Sequence, residues 1–409
     1  MSSIKLNFNA AVKQSLIAYT FNIVGIVAGT LIAYYSGLFE KAPWAVVIYP
    51  PILSARGVIG GLFCGRLSTA LHLGTIKPRF FGNTRSFQML FQAIVVITFE
   101  ASIMMSLIAA LFRGIYQGIY VGDVLNLINV FMATMTLALI VISPLTLTVS
   151  FLSFKHGLDP DIILYPVEST VADLLITCIY VSVLNLHIAH SFSWLVLAMP
   201  SLALLTITIF LLMRGMRKPE FIQTLKESFL TLVLVSFIVN IAGATLGKVD
   251  ELIRGKQELY GNYPVYVVYP ALIDTIGDVG ATVGSTATTK LALGTLKPSF
   301  SSIKHHSTEI YGAWTASLIM YFIYAVLALI IQGSLQPVNL LKFTILLFTA
   351  NVLAAALIII ISYSVAILTY HRGLDPDNFE IPIESSLADS ITTISLLASL
   401  ILWAGILAV

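Results

Sequence analysis

The sequence predicts an all-α polytopic membrane protein. It reads as about eleven transmembrane helices, arranged as two parallel five-helix repeats joined by one linking helix. Three observations carry this. The 409 residues are 58% hydrophobic and only 10% charged, whereas a soluble domain carries about 25% charged residues. Apolar runs fall at 12–37, 44–72, 88–112, 124–153, 163–187, 192–213, 227–248, 264–291, 309–332, 338–369 and 381–408, and roughly 20 apolar residues span a bilayer as a helix. Lastly, residues 49–78 superpose without a gap on residues 269–298.

The runs are too evenly apolar for barrel strands, which alternate every second residue. Residues 4–13 are mixed in character and precede a full-length apolar run, so no cleavable signal peptide is expected. A net charge of +2 argues against a nucleic-acid partner. Cys64 and Cys178 stand alone within apolar runs, which argues against a disulfide framework or a thiolate metal site.

Taken in order, each span of the first half has a counterpart. In the first span, Phe21-Asn22-Ile23-Val24-Gly25 with Gly29 resembles Val239-Asn240-Ile241-Ala242-Gly243 with Gly247. In the second, Tyr49, Pro50, Gly57, Gly60, Thr69, Leu71, Leu73, Gly74, Thr75, Lys77 and Pro78 meet the same residue type 220 positions later. Gly57, Gly61 and Gly65, with Gly277, Ala281 and Ser285, recur every four positions, a spacing suited to close helix contact in lipid. Pro50, Pro51 and Pro270 suggest a helix break that frees carbonyls to line a cavity. Before the fifth span, Gly157-Leu158-Asp159-Pro160-Asp161 recurs as Gly373-Leu374-Asp375-Pro376-Asp377. Within it, Pro166, Glu168, Ser169, Ala172 and Asp173 match Pro382, Glu384, Ser385, Ala388 and Asp389.

The sixth run has no counterpart. Five spans alone invert the second half, and five plus one make the halves parallel, related by an axis along the membrane normal. The expected organisation is a first repeat at 1–190, a linking helix and loop at 191–218 and a second repeat at 219–409. Lys and Arg concentrate in the segments that are inside if the N-terminus is cytoplasmic, among them Lys77, Arg79, Arg85, Arg214, Arg217, Lys218 and Lys297. The expectation is a multi-pass cell-membrane protein with its N-terminus in the cytoplasm and its C-terminus outside. A pseudo-dimer within one chain makes a homo-oligomer unnecessary for a pore.

The acids carry the chemistry. Asp173 and Asp389 each lie roughly 12–15 Å into a span, where a carboxylate costs about 2.5–3.5 kcal/mol on insertion scales. A matched pair facing one axial pore and binding a cation explains that cost. A packing hydrogen bond to Ser169 or Ser385, four residues earlier, is the structural alternative. Glu168 and Glu384 suit either a second acidic ring at the inner mouth or helix N-termini favoured by the dipole. Asp274 and Asp278 share a helix face where the first half has Ser54 and Val58. Arg56, aligned with Ile276, is a candidate partner for either acid. Asn22 and Asn240 offer a neutral oxygen ligand or a helix-bridging amide. His187 with His190, and His305 with His306, lack further support and read as loop histidines. Oxygen-only donors at low density suit Mg2+, which keeps several waters and needs only one or two carboxylates.

These residues resemble the MgtE magnesium transporter family and its eukaryotic relatives, the solute carrier 41 family. The fifth-span pattern, a Gly-x-Asp-Pro loop followed by a proline and then an aspartate, is met by residues 157–173 and 373–389, and Arg66-Leu67-Ser68-Thr69-Ala70 is similar to the solute carrier 41 version of the second span. The resemblance covers both halves outside the sixth run. It implies that Asp173 and Asp389 face the ion path, that Mg2+ is the transported and bound ion, and that the chain corresponds to a bacterial dimer fused through one added helix. Two departures stand out. The polar position of the second span is Val58 in one half and Asp278 in the other, and nothing in the chain corresponds to the bacterial cytosolic sensor domains.

The function read from the sequence is therefore a divalent-cation channel or transporter, most simply for Mg2+, with metal contacts drawn from Asp173, Asp389, Asp278, Asp274, Glu168, Glu384, Asn22, Asn240 and Ser54. Exchange of Mg2+ for Na+ or H+ on the same acids is the alternative. A two-aspartate intramembrane protease is remote, because Thr275-Ile276-Gly277-Asp278 lacks the first glycine of the Gly-x-Gly-Asp motif. No enzymatic activity is expected.

Overall fold

A computed structural model describes residues 8–117, 121–156, 160–189, 193–260, 263–371 and 376–407. Residues 157–159 and 373–375, the Gly-Leu-Asp of both repeated loops, fall outside these residues, as do the side chains of 160–170 and 376–384. Among the described residues the protein is helical and contains no strand. Helices α1 (Phe8–Tyr19) and α2 (Ile23–Tyr34) are joined by a 3-10 turn at Thr20–Asn22, and α3 (Gly37–Lys41) is a short connector. There follow α4 (Trp44–His72), α5 (Arg85–Gln117), α6 (Val121–Lys155), α7 (Pro160–Ala189) and α8 (Ser193–Gly215). The remainder comprises α9 (Pro219–Gly255), α10 (Gln257–Tyr260), α11 (Val265–Ala292), a 3-10 segment at Phe300–His306, α12 (Ser307–Ile331), α13 (Pro337–His371) and α14 (Pro376–Leu407).

Ten helical stretches among the described residues are long and apolar enough to cross a membrane. Of the eleven spans expected from the sequence, the eighth, helix α11, is the one not among these ten. Asp274 and Asp278, with its glycines and threonines, dilute its hydrophobicity.

The prolines do not break their helices. Helix α4 runs through Pro50 and Pro51, and α11 runs through Pro270. Each proline still removes one N–H from the ladder, leaving the carbonyl four residues earlier, Val47 for Pro51 and Tyr266 for Pro270, without its helical donor. Glycines of other helices settle on these places. A Cβ on Gly243 of α9 would collide with the Val47 carbonyl, and one on Gly29 of α2 would collide with the Tyr266 and Val267 carbonyls. Only glycine permits such an approach. The stripe expected to pack closely behaves differently: a Cβ at Gly57 or Gly61 would meet nothing within 4 Å.

The chain divides into two compact units, Met1–Ala33 with Thr245–Val409 (unit one) and Tyr34–Ala244 (unit two). The first span of each repeat is thus built into the unit that holds the other repeat's later helices. In unit two, α4 packs on α5, α6 and α7, and α8 lies against α5, α6 and α7. Asn129 clamps α8 to α6, donating to the Trp194 carbonyl at 3.0 Å and accepting from Ser201 at 3.2 Å. In unit one, α11 packs on α12, α13 and α14, and α1 lies along α12. Asn351 ties α12 to α13 through Trp314 Nε1 at 3.1 Å and Ser317 Oγ at 3.1 Å.

The repeated Gly-Thr-x-Lys-Pro loops close α4 and α11 in the same way. Gly74 and Gly294 adopt φ of 69° and 68°, the left-handed helix cap that favours glycine. The N–H of Ile76 then reaches the Ala70 carbonyl, and that of Leu296 the Lys290 carbonyl, each at 3.1 Å.

Candidate functional site

The mid-span aspartates are positioned by one device used twice. In unit two, Thr177 donates to the backbone carbonyl of Asp173 at 2.7 Å, and its hydroxyl lies 3.1 Å from that of Tyr49 on α4. In unit one, Thr393 donates to the carbonyl of Asp389 at 2.6 Å and lies 2.9 Å from the hydroxyl of Tyr269 on α11. Each tyrosine thus pins the fifth helix of a repeat to its second, one turn from the aspartate. The sequence reading missed the two threonines. Carrying the repeat one turn past Asp173 and Asp389 would have found them, since both stand four residues beyond.

Around that shared frame the charge differs. Asp173 is buried and its carboxylate pairs with the guanidinium of Arg56, both side chains being 8% exposed or less. The fifth-helix aspartate of its own repeat is a partner of Arg56 that the sequence reading, which named Asp274 and Asp278, did not foresee. The reason is register. Helices α4 and α7 pack together in unit two, so Arg56 reaches across to Asp173 within one packed pair. Breaking such a buried pair by removing one partner costs about 3–5 kcal/mol, because the other charge is stranded.

In unit one, position 276 is Ile. Helices α11 and α14 approach closely at Gly277 and Ala388, where a Cβ on the glycine would lie 3.8 Å from the alanine Cβ. Asp278 and Asp389 each follow the contacting residue in sequence, and Asp274 precedes Gly277 by about one turn of α11. The amide of Asn22 donates to Asp278 Oδ2 at 2.7 Å and to Thr275 Oγ1 at 3.2 Å, and Thr275 in turn lies 2.8 Å from the Tyr324 hydroxyl. Asp274 and Asp389 are partly exposed.

The other predicted site residues fall as follows. Asn240 donates to the Met105 carbonyl at 3.2 Å and to the Ser236 carbonyl at 2.7 Å. Both asparagines thus use their amide nitrogens as helix bridges, the structural alternative of the sequence reading. Ser54 is buried on α4. Glu168 and Glu384 lie in α7 and α14, with side chains outside the described residues. His306 is not a loop histidine. It is buried, its Nε2 lying 3.1 Å from Thr286 Oγ1 and 3.2 Å from the Val283 carbonyl, and its Nδ1 lies 3.6 Å from Glu309, which also pairs with Lys290 at 2.7 Å. His187 packs edge-on against Trp44, and His190 lies outside the described residues. Among the described residues no group of three or more His, Cys, Asp or Glu side chains forms a ready metal cage.

Residues 49–183 and 269–399 match the MgtE family model, described as a divalent cation transporter. The chain belongs to the MgtE family. Its matched segments begin at Tyr49 and Tyr269, the tyrosines that pin the aspartate helices, and run past Thr177 and Thr393. This MgtE-family chain is also similar to solute carrier family 41 member 3 of Mus musculus, at 23% identity over 91% of this chain and 78% of the relative. The Rattus norvegicus protein of the same description is 22% identical over 88% and 79%. No solved structure matches. The protein is a multi-pass membrane protein that transports divalent cations.

Proposed function

We propose that this chain moves Mg2+ across the membrane, and that Asp389, with Asp274 and Asp278 of the same unit, supplies the carboxylates that meet the ion. The observation that carries this reading is the distribution of charge over aligned positions. Positions 54, 56, 58 and 173 read Ser, Arg, Val and Asp, one positive and one negative charge. Their counterparts 274, 276, 278 and 389 read Asp, Ile, Asp and Asp, three negative charges and no positive one. A chain that keeps three acids on two packed spans has a use for a cation there. The donors are hard oxygens, which suit Mg2+ held with part of its water shell.

The test is Mg2+ uptake into proteoliposomes containing the full chain. Asp389→Asn keeps the size of the side chain and removes its charge. Losing a charge-assisted ligand is worth about 1.5–3 kcal/mol, so uptake is expected to fall by about tenfold or more. Unchanged uptake in a folded Asp389→Asn protein would overturn the assignment.

A further inference from the structure

We propose that Glu100, in the middle of α5, is a membrane-embedded proton-binding site, and that the proton it takes up and returns is exchanged against the transported cation. The exchange rests on the Mg2+ reading of the chain and goes beyond it, whereas the proton site rests on α5 and its neighbours alone. One proton binds one carboxylate oxygen and leaves it again, and no other bond changes.

Helix α5 runs from Arg85 to Gln117 and is one of the stretches long and apolar enough to cross a membrane. At about 1.5 Å per residue, Glu100 stands about 22 Å from its start and about 25 Å from its end. An ionisable side chain at that depth is costly and marks a working group by default. The side chain is part-buried, and its Oε2 is buried with no hydrogen-bond partner among the described residues. One turn away on α5 stand Val96, Ile97, Ile103 and Met104, all apolar. The nearby hydroxyls are spent on the helix itself: Thr98 donates to the Ile94 carbonyl at 2.8 Å and Ser102 to the Thr98 carbonyl at 2.6 Å. A proton answers this placement, because a neutral carboxyl costs far less than a carboxylate away from water. Gln92 Oε1, about 12 Å nearer the start of α5, is likewise buried without a partner among the described residues. Two unsatisfied acceptors along one helix put the entry of the proton on the side where α5 begins.

The helices packed on α5 do not supply a counter-charge. Helix α4 carries Arg56, Arg66 and His72, α6 carries Asp123 and Lys155, and α8 carries Arg214. Arg56 pairs with Asp173, Arg66 donates to Thr224 and Asp123 pairs with Arg113; among the described residues none of the six pairs with Glu100. Helix α9 meets α5 where Asn240 donates to the Met105 carbonyl, and its residues 231–247 carry no charge. The acid also belongs to one copy only. Ala101-Ser102-Ile103-Met104-Met105 matches Ala316-Ser317-Leu318-Ile319-Met320, which aligns Glu100 with Thr315. The fold of the repeat therefore does not require a carboxyl at this place.

The first measurement needs no variant. The full chain in liposomes at neutral pH is treated with dicyclohexylcarbodiimide, an apolar reagent whose C=N bond takes up a protonated carboxyl as an O-acylisourea that rearranges to an N-acylurea, and the modified peptide is identified by mass. The expected result is label at Glu100 that Mg2+ does not diminish and that Glu100→Gln lacks. No label at Glu100 would show a carboxylate that holds no proton, and protection by Mg2+ would make Glu100 a cation ligand; either result would overturn the proposal.

The second measurement follows Mg2+ uptake into proteoliposomes whose lumen is about one pH unit more acid than the bath, a gradient worth about tenfold per proton exchanged. Wild type is expected to take up about threefold more Mg2+, or better, than at equal pH. Glu100→Gln, neutral at every pH, is expected to take up Mg2+ without that gain. A wild type indifferent to the gradient, or a gain that persists in Glu100→Gln, would overturn the exchange. The two readings fail separately: wild type that takes up no Mg2+ with or without the gradient removes the Mg2+ reading, and the label still decides the proton site.

Discussion

Unit two and unit one are built on the same repeat and differ most where charge is placed. Unit two sets one aspartate against one arginine and carries Ser54 and Val58 at the positions aligned with the acids of unit one. Unit one replaces the arginine with Ile276 and adds Asp274 and Asp278, one of which is held by Asn22. The frame around these residues is the same in both: a tyrosine on the second span of the repeat, a threonine four residues after the fifth-span aspartate, and a glycine of a neighbouring span set on a carbonyl exposed by proline. Duplication therefore preserved the scaffold and released the electrostatics. Once two copies stand in one chain, the acids need not be matched: the aligned positions carry Ser54, Arg56, Val58 and Asp173 in one copy and Asp274, Ile276, Asp278 and Asp389 in the other.

The largest expected effect tests the shared frame. Gly243→Ala in unit two and Gly29→Ala in unit one each drive a methyl group into a backbone carbonyl, which cannot move without distorting its helix. Overpacking of this kind costs about 1–3 kcal/mol and sometimes more. Both variants are expected to lower the unfolding temperature sharply or to fail to accumulate. Gly57→Ala and Gly61→Ala make the contrast, because their new methyl groups meet nothing within 4 Å. With roughly 0.8–1.0 kcal/mol of helix propensity gained, these two should unfold no lower than wild type. A Gly29→Ala protein as stable as Gly57→Ala would remove the close-approach account of the first spans.

A smaller effect separates the units. Asn22 donates to a carboxylate, whereas its counterpart Asn240 donates to two backbone carbonyls. Hydrogen bonds to a charged group contribute about 1.5–3 kcal/mol and neutral ones about 1 kcal/mol. Asn22→Ala is thus expected to destabilise more than Asn240→Ala. It should also reduce Mg2+ uptake, because it releases Asp278 from its place beside α2, while Asn240→Ala should leave uptake near wild type in the protein that folds. Equal losses of uptake would mean that the asparagines act alike and that the acids of unit one have no special part.

Much of this was legible in the sequence. The spans follow from hydrophobic length, and the helix ends at Gly74 and Gly294 from a glycine that only a left-handed cap requires. What was not legible is which helix each glycine meets. Gly25, Gly29 and Gly243 advertise a close approach, but a one-dimensional pattern does not say whose backbone is approached, and the answer lies in the other repeat's later helices. The pairing of Arg56 with Asp173 was hidden for a related reason. Alignment placed Arg56 on the helix face that carries Asp274 and Asp278 in the second copy, and that pattern does not show that a long side chain in a packed pair of helices also reaches across to α7. Pro50, Pro51 and Pro270 misled by kind: α4 and α11 continue through them, and a glycine of another helix lies against the carbonyl that Pro51 or Pro270 leaves without a helical donor.

The smallest effect bears on whether the frame is shared in energy as well as in geometry. Tyr49→Phe and Tyr269→Phe each delete one hydroxyl and leave the ring. The partner threonines keep their own bonds to the Asp173 and Asp389 carbonyls, so neither is left wholly unsatisfied. Each change removes the buried neutral hydrogen bond to its threonine, about 1 kcal/mol, and the two losses should agree within about 0.5 kcal/mol and add in the double variant, since the two pins share no residue. Thermal unfolding of the two single variants and the double measures this. A markedly larger loss for Tyr49→Phe would show that the Tyr–Thr pin also holds the Arg56–Asp173 pair in register, a burden that Tyr269 does not carry; the frame would then have diverged along with the charge.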